Sequence, residues 1–130
     1  MFQNCKNTKA QGNIGIGEAI SYFLRNGVTV SIPINDSQDY DLIADIDGLL
    51  SKIQVKTTSY KSEHGIYTVS LRNTGGSSGT VNSRISESTN IDYVFCLTEL
   101  GTKYLIPFIE IENNRNSINL GIKYEQYKLQ

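Results

Sequence analysis

The chain has no tryptophan, one histidine, two cysteines, two prolines and three alanines among its 130 residues. Each shortage excludes something. A zinc centre needs several His or Cys at ligand spacing, but His64 stands alone and Cys5 and Cys96 lie far apart, which also leaves no disulfide framework. Cys96 sits inside an apolar run and reads as a small buried hydrophobe. Scarce alanine beside 22 Val and Ile residues predicts a sheet-rich domain with few helices, because β-branched side chains suit pleated surfaces. No apolar run approaches the roughly 20 residues of a membrane span, and Met1–Lys9 is too polar for a signal-peptide core. A soluble, cytoplasmic protein is expected, with no membrane partner. A formal net charge of -1 excludes a generally sticky polycation, so a nucleic-acid partner would have to be held by local charge.

What is present organises into one domain. Residues 1–12 are polar and carry Lys6 and Lys9 without an acid, which predicts an N-terminal arm ahead of a domain over 13–130. Ile16, Ile20, Phe23 and Leu24 share one helix face and Gly27 follows, predicting a helix over 14–26. Strands are expected at Val28–Ile34, Tyr40–Ile46, Leu49–Thr57, Ile66–Leu71, Ile91–Leu97, Lys103–Pro107 and Ser117–Ile122. The Gly/Ser-rich stretch Asn73–Asn82 reads as a loop and Ser83–Asn90 as a two-turn helix. This order fits an α/β class with a mixed sheet flanked by helices.

The chemistry concentrates in one hairpin. Asp47-Gly48 is a two-residue turn signal, so paired residue numbers sum to 95 and Asp41 falls opposite Gln54. Directly opposed side chains approach to about 5 Å at Cβ, close enough to share one ion. Alternation puts Asp41, Ile43, Asp45, Leu50, Lys52, Gln54 and Lys56 on one face, and Leu42, Ala44, Ile46, Leu49, Ser51, Ile53 and Val55 on the core face. A carboxylate and an amide oxygen are hard ligands suited to Mg²⁺, and a lysine two residues on would orient water and neutralise charge at phosphorus. The bland reading of the same pattern is a solvated hairpin face, and Asp36 and Asp45 are read as solvated.

These residues also carry a resemblance. Gly15-Ile16-Gly17-Glu18-Ala19 on a helix, then Tyr40-Asp41-Leu42-Ile43, Ile53-Gln54-Val55-Lys56-Thr57 and Ile91-Asp92-Tyr93, are similar to the PD-(D/E)XK nucleases, in particular the group I intron-encoded homing endonucleases. The resemblance runs over about 12–122. It implies a single-domain nuclease-like fold, with Asp41, Gln54 and Lys56 catalytic and Asp41, Gln54 and Glu18 at the metal. Gln54 departs from the Asp or Glu of the family motif, which lowers the charge of the metal site. Tyr40 replaces its proline.

Charge is segregated along the chain. Residues 36–47 are net -5, whereas 48–86 are net +4. The basic block and the Gly/Ser loop supply the candidate DNA contacts Lys52, Thr57, Lys61, Arg72, Ser77, Ser78, Asn82 and Arg84. The function expected is a Mg²⁺-dependent homing-type endonuclease acting on double-stranded DNA. One metal site per chain must cut two strands, which calls for a homodimer or homotetramer. A Holliday-junction resolvase, a restriction-type nuclease and a catalytically inactive DNA-binding module are the alternatives.

Overall fold

The computed structural model describes residues 1–35, 37–74, 82–84, 91–112 and 116–130, and of 73–74 and 82–84 the backbone. The chain opens with α1 (Thr8–Arg25), followed by β1 (Val30–Ser31), β2 (Leu42–Ile46) and β3 (Leu49–Thr58). Then come β4 (Thr68–Ser70), β5 (Arg72–Thr74), β6 (Asn82–Arg84), β7 (Tyr93–Thr98), β8 (Lys103–Pro107) and β9 (Ser117–Asn119). Single 3-10 stretches cover Phe108–Glu110 and Ile122–Tyr127. The main sheet has the order β1-β2-β3-β7-β8, with β3 and β7 parallel and the other neighbours antiparallel.

The hairpin forms as its sequence dictates. Asp47 and Gly48 have φ of 52° and 84°, the left-handed pair that matches strand twist, and Ile46 pairs with Leu49 and Leu42 with Ile53. β3 runs on past its partner into the middle of the sheet, so Ile53, Gln54 and Val55 are all buried although they point alternately to opposite faces. On one face α1 lays Ala19 and Phe23 against Leu42, Ala44, Ile53, Val55, Phe95 and Leu97. On the other, Val94, Cys96, Tyr104 and Ile106 meet Val69, Leu71, Ile118, Leu120 and Tyr124. That second layer is the short β4–β9 ribbon with the 3-10 stretches, rather than another α-helix among the described residues.

Several boundaries move. The helix starts at Thr8 instead of 14, so Thr8–Gly12 of the expected arm is helical: the Asn7 side chain caps it, accepting from Ala10 N at 2.9 Å. Ahead of it the Met1 ammonium donates to the Glu99 carbonyl at 3.0 Å, and Phe2 packs on the α1-side core. β1 keeps only two residues of Val28–Ile34, and β4 three of Ile66–Leu71. Ser83 and Arg84 belong to β6, where a helix was expected, and Asn73, Thr74 and Asn82 lie in the β5–β6 pair, where a loop was expected; the remainder of those two expectations, 75–81 and 85–90, lies outside the described residues.

Gly15 sets the distance between helix and sheet. A Cβ there would sit 2.5 Å from Thr57 Cγ2 and 3.0 Å from Val55 Cγ1, whereas Gly12 has nothing within 4 Å. Gly15→Ala therefore trades a helix-propensity gain of about 0.5–1 kcal/mol for an overpacking cost of roughly 1–3 kcal/mol. Urea unfolding is expected to show Gly15→Ala less stable than the parent and Gly12→Ala more stable.

Candidate active site

Asp41 lies one residue ahead of β2, and its N–H donates at 2.8 Å to the carbonyl of Ile53, the residue already paired with Leu42, so the regular ladder ends there. That bond sets its carboxylate beside Gln54. Asp41 Oδ2 accepts from the Val55 N–H at 2.7 Å and from Gln54 Nε2 at 3.1 Å. Two residues along β3, the Lys56 ammonium donates to the Arg72 carbonyl at 3.1 Å. Gln54 and Lys56 stand in register with Val94 and Cys96 of β7, on the face turned away from α1.

Burial governs the electrostatics of this group. It raises the Asp41 carboxyl above its ordinary value of 3.8, against the lowering effects of the Val55 N–H and of Lys56. It lowers the Lys56 amine below its ordinary 10.5, opposed chiefly by the charge of Asp41. The fully buried Cys96 thiol is pushed up to about 12 by burial, so it is a neutral wall beside Lys56.

The hairpin places Asp41, Gln54 and Lys56 together, and other candidates elsewhere. Glu18 forms an ion pair with Lys103 of β8 at 3.5 Å. α1, which carries Glu18, packs on the sheet face opposite the one that Gln54 and Lys56 share with Val94 and Cys96. Thr57 turns to the helix side, where its Oγ1 accepts from Gln11 Nε2 at 3.0 Å: period-2 alternation puts it on the face opposite Lys56. Asp45, read as solvated, has its Oδ1 buried and without a hydrogen-bond partner.

The described basic candidates lie along β3 and on the chain that follows it. Lys52 shares the face of Gln54 by alternation, and its N–H donates to Asp92 Oδ2 at 2.8 Å. After β3 the chain turns and runs back along it, with Lys61 bridged to Tyr67 and its amine 5.0 Å from that ring's centre. This return brings Arg72 over Lys56. Arg84 and Asn82 belong to β6, paired to Arg72 and Thr74, with their side chains undescribed; Ser77, Ser78 and Asp36 lie outside the described residues. His64 is exposed in the turn beside Gly65. The residues that composition and spacing missed act through their main chain, the Val55 N–H and the Arg72 carbonyl, and a backbone group leaves no mark on residue type.

A divalent cation at this place would meet one carboxylate, from Asp41, and one amide oxygen, from Gln54. Among the described residues no group of three or more His, Cys, Asp or Glu could hold a metal. The donor set fits Mg²⁺, a hard ion that takes one or two protein oxygens, keeps several waters and accepts phosphate oxygens.

A carboxylate, an amide and an amine thus gather beside β3, at the centre of a mixed sheet with a helix on one face. The model of the PD-(D/E)XK endonuclease family matches residues 6–129, and the chain belongs to that family. It is related to the homing branch: it is similar to the solved structure of a bacterial homing endonuclease, I-Ssp6803I. That match has a TM-score of 0.74 and 25% identity, over 94% of this chain and 86% of that one. No curated protein matches the sequence. Among the described residues no helix is long and apolar enough to cross a membrane.

Proposed function

We propose that the chain is a Mg²⁺-dependent, sequence-specific endonuclease of the homing type that hydrolyses phosphodiester bonds in double-stranded DNA. The observation that carries this reading is the convergence of Asp41, Gln54 and Lys56 at the middle of β3. Asp41 and the Gln54 amide oxygen would hold the ion, which supplies positive charge to the phosphate and a more acidic water. Lys56 orients the attacking water and neutralises charge developing on phosphorus; its lowered pKa brings it closer to accepting that water's proton. Lys52, Lys61 and Arg72, with Asn82, Arg84, Ser77 and Ser78, supply phosphate and groove contacts around the site.

The protein acts in the cytoplasm as a homodimer or homotetramer, since one site per chain must serve both strands. Gln54 favours one second reading, a DNA-binding module that has lost catalysis. Cleavage of a randomised duplex library with Mg²⁺, using Lys56→Ala as control, tests the two together. Enrichment of cut sequences by the parent alone is expected. Uncut libraries with binding that ignores Mg²⁺ would establish the second reading instead.

A further inference from the structure

We propose that Gln54 is an amide latch over the metal position: in the free protein its NH₂ group caps Asp41, and it turns its oxygen inward only when DNA and the cation arrive together. The inference rests on the metal-dependent reading above. Its starting point is the 3.1 Å contact between Gln54 Nε2 and Asp41 Oδ2. An ionised carboxylate only accepts, so the amide atom facing it must be the donor nitrogen; turned over, two oxygens would meet with no proton between them. A cation needs the reverse orientation, because only the amide oxygen can ligate it.

Three features favour the capped state until a phosphate is present. Gln54 is 8% exposed, so bulk water does not replace the bond that turning breaks. The same nitrogen lies 3.5 Å from the Val55 carbonyl, a second acceptor on the capped side. The negative charge of Asp41 is countered by Lys56, so the free site has no surplus to draw in a divalent ion. A bound DNA phosphate brings one more negative charge and one more hard oxygen. Cation and DNA then strengthen each other's binding by the same factor. A glutamate at 54 would instead set two carboxylates together, a site that repels itself when empty and takes a cation without DNA.

Mn²⁺ titration followed by electron paramagnetic resonance tests this on the free protein and with a mixed-sequence duplex at low salt, with Asp41→Asn protein plus duplex as the background. The parent is expected to bind Mn²⁺ at least tenfold more weakly than Gln54→Glu when free, and at least tenfold more tightly once duplex is added. Gln54→Glu should change less than threefold on adding duplex. In parallel, Mg²⁺ should leave the Gln54 side-chain amide resonance of the free parent in place and shift it when duplex is present. This readout needs no variant, so it stands even if Gln54→Glu does not fold. Free parent protein that binds Mn²⁺ as tightly as with duplex, or whose amide shifts with Mg²⁺ alone, overturns the latch and leaves the nuclease reading intact. Absence of binding above background in parent and Gln54→Glu, with and without duplex, overturns the metal-dependent reading itself.

Discussion

Lys56→Ala is expected to lower the single-turnover cleavage rate by roughly 10²–10³-fold, the usual cost of removing one donor aimed at developing charge. Affinity for DNA measured without metal should stay within about threefold, because Lys56 is one of several cations near the site and its amine is turned to the Arg72 carbonyl. Lys56→Arg is expected to restore little. A guanidinium is larger, holds its proton throughout the accessible pH range, and would have to fit between the Cys96 wall and the strand carrying Arg72. A rate unchanged in Lys56→Ala would remove the lysine from the chemistry. A rate loss matched by an equal loss of binding would make it a DNA contact instead.

How far this site was legible follows from the range of each signal. The register of β2 on β3 depends on two turn residues and on alternation, both local, so the pairing from Ile46–Leu49 to Leu42–Ile53 could be read directly, and Asp41, one residue beyond it, meets Gln54 through their side chains. Glu18 could be placed on a helix but not over a strand: which part of the sheet α1 covers is set by the close approach at Gly15 and by Phe23 packing on Phe95. For Thr57 one more step of the alternation, from Val55, leads to the helix side. The helix start was hidden because Thr8–Asn13 has no apolar stripe; a side-chain cap and a terminal ammonium bonded to a distant carbonyl hold that end. The β4–β9 ribbon was the least legible part. Its three-residue strands pair across nearly 50 positions, and strands that short carry almost no periodicity of their own.

Asp41→Asn should separate stability from activity and give them opposite signs. Cleavage is expected to fall by at least about 10³-fold, since the neutral amide withdraws the one carboxylate from the ion, whose charge stabilisation is worth several kcal/mol. Folding should nonetheless improve at neutral pH. Burial raises the Asp41 pKa more than the Val55 N–H and Lys56 lower it, so the ionised carboxylate is a net cost in the folded state. For a carboxyl raised on folding, the stabilising contribution is present below its ordinary value of 3.8 and is lost as pH rises through the raised folded value. The parent therefore gains on the variant as pH falls through that window, and at neutral pH the variant is the more stable. Asparagine keeps an oxygen for the Val55 N–H, whereas Asp41→Ala leaves that buried donor unpaired at a cost of about 1–3 kcal/mol. Urea midpoints at pH 7 should thus run in the order Asn, parent, Ala, with the first two converging at acid pH. A parent more stable than Asp41→Asn at pH 7 would mean that the pair with Lys56 outweighs the burial of Asp41. A site that destabilises its own fold when ionised is the arrangement expected where the charge is kept for chemistry rather than for structure.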